Sequence, residues 1–396
     1  MKRGLLSVLL AVALMASLTV LITTPGLAQG PIKIGASISL TGTYAALGQN
    51  QHRGYQLCAK QVNEKGGVLG RKVEFVVYDD QSQPATGVRL YEKLITQDKV
   101  DVVMGPYSSA ITEAVANVNE KYKMPMVAPM ASTTSIFKKG RKFIFMVQSP
   151  AEAYLEGLIE MAAKNGLKTL AIINEDTLFP KATVQGTVEL AKKKGLQVVF
   201  VEAYPKGNTD FSAILTKIRA ANPDVLGAAT YFDDAVAITR QMNELNVNPK
   251  MYGVTVGGDL PTFYQLLGRN AEFVYGATQW ERELPYPGSK DFVDAYTREF
   301  VGSDLSYHSA GGYAGCQILV EAVRRAGSLD GEKIREAILK LDFNTVYGGF
   351  KVDPDGFQIS HRMVMFQWQD AKKVIVWPDE LAAGKARFPT PPWNQR

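Results

Sequence analysis

The chain predicts an α/β protein built from two doubly wound, Rossmann-like lobes, and three observations carry that prediction. Between Ile32 and Trp280, short apolar runs alternate with stretches of helical period. The apolar runs, such as Val102-Val103-Met104, are continuous rather than alternating, as strands covered on both faces are. The length of 396 residues exceeds what one hydrophobic core usually serves. Alternation of this kind means βαβ units, right-handed crossovers and parallel sheets with helices on both faces.

In chain order, the first 28 residues stand apart from the fold. Met1-Lys2-Arg3 is a short basic start, residues 4–22 are almost wholly apolar, and Pro25-Gly26-Leu27-Ala28 sets small residues before Gln29. This is the pattern of a secretory signal peptide cut after Ala28. The alternative is an uncleaved anchor, since the apolar run approaches the ~20 residues that span a bilayer. The small-residue site favours cleavage, and no Cys near residue 28 offers a lipid anchor. No later stretch is long and apolar enough to span, so an exported, soluble mature chain is expected. Without Lys2 and Arg3 the formal net charge falls from +5 to +3. The remaining basic residues are dispersed, with Lys192-Lys193-Lys194 and Lys138-Lys139 at helix ends, where they complement the dipole. No basic tract interleaved with aromatics points to nucleic acid.

Strands are expected at 32–40, 72–80, 100–106, 124–129, 143–148, 169–176, 197–205, 224–231, 251–257 and 273–280. Helical stretches such as 55–67, 86–98, 154–166, 183–195 and 211–223 separate most of them, several closed by Gly or Asn-Pro. Residues 287–341 read as three helices. Short strands around the Asp353-Pro354-Asp355-Gly356 turn follow, then strands at 363–369 and 373–377, and a polar Pro391-Pro392 end that reads as a frayed tail. Two cysteines exclude a disulfide framework. Cys58 and Cys316 both lie in helical patterns; free, buried packing is the reading, with a single disulfide the alternative in an oxidising compartment.

The stretch Val102–Ala110 concentrates the chemistry. An apolar strand stops at Gly105-Pro106, two serines follow Tyr107, and a helical pattern begins. Ser108 suits a helix N-cap, and the free N–H groups of a first helical turn, with the dipole, make an anion site. In open α/β sheets ligands bind outside the carboxyl ends of strands. Ser108, Ser109 and Ser132 are therefore candidate donors to a carboxylate. Tyr44, Tyr107, Phe179, Tyr231, Phe232 and Trp280, all at or near strand ends, are candidate apolar walls.

The order of motifs then resembles the type I periplasmic solute-binding proteins, in particular the branched-chain amino acid (Leu/Ile/Val) binding family of ABC importers. The resemblance is carried by Ser39-Leu40-Thr41-Gly42 with Gly48, by Asn63 to Gly70, and by Tyr78-Asp79-Asp80 with Pro84. Gly105 to Ser109 and Met124 to Pro129 continue it. It implies two lobes joined by three hinge crossings near Ser149, Gln279 and His361, closing like a flytrap on a ligand. Lobe I would hold residues 29–149 and 280–361, and lobe II residues 150–279 and 362–396. It also implies a monomer in the periplasm, a small-molecule ligand (an amino acid or an aromatic or aliphatic carboxylate) and an ABC transporter permease as partner.

Carried over position by position, the resemblance matches the ligand serine to Ser108 with Ser109 adjacent, and a carbonyl and a hydroxyl to Met130 and Ser132. It matches the lobe II aromatics to Phe179 and to Tyr231 or Phe232. The acid expected to bind an α-amino group would fall near Thr255, where residues 253–258 carry none and the first acid is Asp259. That departure favours a hydrophobic or aromatic carboxylate without an α-amino group.

Other signals are weaker. Asp353 to Gly356 lacks the ligands of a calcium loop. His52, His308 and His361 share no metal-ligand spacing, and His308 is expected to pack at a helix start. No nucleophile elbow, phosphate loop or acid–base–nucleophile set exists, so neither cofactor nor catalysis is expected. A binding protein of an importer is the reading, a sensor feeding a membrane receptor the alternative, and an exported enzyme the least supported class.

Overall fold

The computed structural model describes residues 30–396; the expected signal peptide and its cleavage site after Ala28 lie outside the described residues. The first sheet contains β1 (Ile32–Ile38), β2 (Val73–Asp79), β3 (Val102–Met104), β4 (Met126–Ala128) and β5 (Ile144–Met146). All its pairings are parallel, in the order β2-β1-β3-β4-β5. The strands β3, β4 and β5 are buried along their whole length, which is why they read as unbroken apolar runs. Helices α1 (Ala45–Glu64), α2 (Pro84–Thr96), α3 (Ser109–Lys121) and α4 (Thr134–Phe137) make the crossovers.

The second sheet repeats this topology. Its parallel part is β6 (Thr169–Glu175), β7 (Gln197–Tyr204), β8 (Val225–Ala229), β9 (Met251–Val254) and β10 (Tyr275–Thr278), ordered β7-β6-β8-β9-β10. Helices α5 (Glu156–Lys164), α6 (Leu178–Lys193), α7 (Ser212–Ala221), α8 (Phe232–Glu244) and α9 (Pro261–Leu267) accompany it. Each sheet therefore has one topological switch point, β1/β3 in the first and β6/β8 in the second.

After β10 the chain returns to the first sheet. It forms α10 (Ser289–Glu299), α11 (Tyr307–Ala326), α12 (Gly331–Leu339) and the hairpin β11 (Asp342–Thr345) with β12 (Gly348–Lys351). It then adds β13 (Val364–Gln369) and β14 (Lys372–Trp377) antiparallel to the edge of the second sheet. Three passages thus link the two sheets, and they bond to one another. Ser149 N–H donates to Gln279 Oε1 at 3.0 Å, and Ser149 Oγ donates to the His361 carbonyl at 3.1 Å.

Three expectations need correction. Cys58 and Cys316 are not free: they form a disulfide between α1 and α11, with Cα atoms 6.2 Å apart. The reason is the close approach of those helices. A Cβ on Gly54 would sit 2.2 Å from the Ser309 carbonyl oxygen, and one on Gly312 2.4 Å from that of Gln51. The tail is docked rather than frayed: Thr390 N–H donates to the Lys250 carbonyl at 3.0 Å, and buried Trp393 donates through Nε1 to the Val247 carbonyl at 2.9 Å. The Arg396 guanidinium covers the Trp393 ring. Finally, the strand before the Asp353 turn pairs with β11 rather than across the turn, which closes through a single bridge between Val352 and Gln358.

Candidate functional site

The carboxyl ends of the parallel strands converge from both sheets. Strand β3 ends at Met104, and Gly105 follows because a Cβ there would lie 2.8 Å from Ala128 Cα of β4. The Gly105 carbonyl is fixed by donors from Tyr55 Oη at 2.8 Å and Gln51 Nε2 at 3.0 Å. The turn delivers Ser108 with φ 79° and ψ 147°, a backbone region that side chains rarely adopt. Such strain costs ~1–3 kcal/mol and persists at functional sites. Ser108 Oγ caps α3 by accepting from Ile111 N–H at 3.3 Å. The N–H groups of Ser109 and Ala110 precede any helical carbonyl that could accept them, so they lie at the positive end of the helix.

Ser109 ties this turn to the next. Its Oγ accepts from Ser132 N–H at 3.2 Å and Thr133 N–H at 3.4 Å, leaving its own hydrogen to donate. The loop after β4 thereby holds Met130 and Ser132 beside Ser108. After β5 comes Gln148, whose Oε1 accepts from Tyr154 Oη at 3.2 Å. From the second sheet, β6 leads to Phe179, β8 to Tyr231 and β9 to Val256. The Phe179 ring meets Tyr154 edge-on at 4.8 Å and lies 5.7 Å from Tyr231.

These groups line one small cavity between the two sets of strand ends. Of the residues singled out in the sequence, Tyr107, Ser108, Ser109, Met130, Ser132, Phe179 and Tyr231 line it. Gln148, Tyr154, Val256, Tyr307 and His308 line it too and were not expected. Gln148 and Val256 follow strands already recognised, so the strand-end rule alone could have found them. Tyr154 lies just past the first passage, and Tyr307 and His308 come from the return to the first sheet, where no sequence signal marks a wall. His308 does sit at the start of α11, as expected, but it also faces the site: its Nε2 is 3.1 Å from Tyr107 Oη.

The other expected residues lie elsewhere. Thr255 is consumed in bracing β8 to β9: its Oγ1 donates to the Thr230 carbonyl and accepts from Thr230 N–H, both at 2.9 Å. Trp280 packs edge-on against Phe292 and donates through Nε1 to Ser289 Oγ at 3.2 Å. Phe232 packs its backbone where a Gly257 side chain would otherwise be. Tyr44 stands behind Tyr231, ring centres 4.5 Å apart.

Asp259 is fully buried, and neither carboxyl oxygen has a hydrogen-bond partner. Its nearest cationic candidate is His308 Nδ1 at 3.9 Å, too far for a hydrogen bond. Burial pushes the Asp259 carboxyl up to about 7, against the pull of Lys373 and helped by Glu281. Burial pushes His308 down to about 3, so it stays neutral and offers Asp259 no counter-charge. Burial also raises Tyr154 to about 12 and moves Tyr107, Tyr231 and Tyr307 the same way, keeping their hydroxyls protonated as donors. With His308 neutral, no charged side chain lines the cavity. A space with aromatic walls, serine hydroxyls and a helix N-terminus suits an apolar body carrying one carboxylate.

Two doubly wound sheets with strand ends meeting at one cavity define a two-lobed ligand-binding protein. The chain belongs to the periplasmic binding protein family, whose family model matches residues 31–373, and its fold is that of the type I members. It is similar to Leu/Ile/Val-binding protein homolog 7 of Brucella melitensis, at 27% identity over 91% of this chain and 95% of the relative. Among solved structures it resembles the leucine-binding protein LivK of Thermotoga maritima, with TM-score 0.79 and 27% identity over 87% of this chain and 97% of that one. An ABC-transporter solute-binding protein of Rhodopseudomonas palustris, solved with 3,4-dihydroxybenzoic acid, shares the fold at TM-score 0.79 and 24% identity, covering 87% and 95%. The protein is a substrate-binding protein and not an enzyme.

Proposed function

We propose that this protein captures a small hydrophobic or aromatic carboxylate between its lobes and delivers it to the permease of an ABC importer. In this reading residues 1–28 direct export to the periplasm. Lobe I comprises 29–149 with 280–361, lobe II the remainder, and the lobes close about the passages at Ser149, Gln279 and His361.

The single observation that carries the ligand class is the cavity wall: five aromatic rings and three serines, with no ionised side chain among them. A carboxylate there meets Ser108, Ser109, Ser132 and the start of α3; a hydrogen bond to a charged group contributes ~1.5–3 kcal/mol net. An ammonium group would meet no ionised acceptor in the wall, and an unpaired buried charge is costly. The fold does not choose between ligand classes, since leucine and 3,4-dihydroxybenzoic acid both appear in the names of its structural relatives.

One observation favours a second reading. The unpartnered Asp259 carboxyl lies just behind His308, and a small shift of that wall would let it receive the amino group of an amino acid. Calorimetry with matched pairs separates the two: phenylalanine against phenylpropionate, and leucine against its des-amino analogue. Tight binding of a des-amino acid supports the first reading. Binding of the amino acids alone, lost in Asp259→Asn, overturns it in favour of the second.

A further inference from the structure

We infer that the Tyr44–Tyr231 pair is the partition that limits how long a ligand the cleft accepts, an inference that rests on the carboxylate reading above. Tyr231 is a wall shared by two spaces. On one side is the ligand cavity; on the other is a second hollow, lined also by Tyr44, Thr43, Glu175, Asp233 and Asp234. Tyr44 backs Tyr231 at 4.5 Å between ring centres and lies 5.8 Å from Tyr107. The three rings therefore form a continuous screen between the spaces.

Each sheet contributes part of that screen. Tyr44 follows β1 and Tyr231 follows β8, so the screen is assembled at the two switch points. It is also held in place. Tyr44 N–H donates to Ser82 Oγ at 3.1 Å, and Tyr44 Oη donates to Glu175 Oε1 at 3.3 Å across the cleft. Lys206 Nζ sits 4.1 Å from the centre of the Tyr44 ring and donates to the Ser82 carbonyl at 2.8 Å.

The space beyond the screen has its own chemistry. Thr43, Asn208 and Thr209 line it beside Glu175, Asp233 and Asp234, so it offers room to a chain that passes the screen. With the screen intact the site takes short monocarboxylates. With one ring removed it takes monocarboxylates extended by a further chain.

Calorimetry on the full protein tests this with benzoate and phenylpropionate as short probes, and butylbenzoate and phenylhexanoate as long ones. The parent should bind the long probes roughly tenfold or more weaker than the short, a difference that burying about two methylenes would reverse. Tyr44→Ala and Tyr231→Ala should each abolish that discrimination, whereas Tyr44→Phe, which keeps the ring, should retain it. Circular dichroism establishes that each variant folds, and if one alanine variant does not, the other carries the test. Equal binding of long and short probes by the parent overturns the partition, as does unchanged discrimination in the alanine variants. If no short acid binds the parent, the carboxylate reading itself fails and the inference falls with it.

Discussion

Asp259→Asn should remove a pH-dependent penalty on folding that the structure allows to be worked out. The carboxyl is fully buried with neither oxygen bonded, and its surroundings raise it from 3.8 to about 7. Its backbone is pinned, because its carbonyl accepts from Lys373 Nζ at 2.8 Å and the preceding Gly258 carbonyl accepts from Trp368 Nε1 at 2.9 Å. For an acid raised in the folded state, the folded protein holds the proton over a range where the unfolded chain has released it. No penalty exists below pH ~4, where both states are protonated; it grows as pH rises and is complete above about 7. Its full size is about 4 kcal/mol, of which ~2–3 kcal/mol accrues between pH 5 and pH 8.

For a chain of this length that interval corresponds to a fall of about 3 °C in midpoint temperature. The assay is thermal unfolding of ligand-free parent and Asp259→Asn at pH 5 and pH 8. Other buried acids, such as Asp234 raised to about 8, contribute to both proteins, so the difference between them isolates Asp259. The parent should lose more stability than the variant on going to pH 8. Equal losses would refute the argument, because they would mean that Asp259 is ionised and solvated in both states.

Four further outcomes are expected. Cys58→Ser should lower stability by up to about 5.5 kcal/mol, the chain-entropy limit for a bridge spanning 258 positions, and reductant should do the same to the parent; unchanged midpoints would count against the bridge. Ser108→Gly should keep stability within ~1 kcal/mol, since relief of the positive φ offsets the lost cap, yet weaken carboxylate binding roughly tenfold or more; unaltered affinity would remove Ser108 from the site. Lys206→Met should speed ligand release several-fold with little change in association, read by stopped-flow, because its bond to the Ser82 carbonyl spans the cleft; an unchanged release rate would exclude that role. Small-angle scattering should give a smaller radius of gyration with saturating ligand than without, and an equal radius would argue against lobe closure.

What the sequence determined by itself is the order of elements and the strand ends that line the cavity. Short unbroken apolar runs bounded by turn residues read as strands covered on both faces, and Gly105-Pro106 stops one, so Ser108 and Ser132 are legible as strand-end hydroxyls. Phe179 and Tyr231 followed from the same rule. Tertiary structure decided the rest, because the relevant contacts join residues far apart in the chain. Whether Cys58 and Cys316 pair depends on how closely α1 and α11 approach, which Gly54 and Gly312 set. Thr255 and Trp280 sit at strand ends like their neighbours, yet their polar atoms are taken by Thr230 and Ser289. His308 and Tyr307 reach the cavity from a helix about 200 positions beyond Ser108, and only the chain's return to the first sheet brings them there. The state of Asp259 likewise belongs to its surroundings: an acid before a helix is ordinarily a solvated cap, and only the packing around it removes water and every partner.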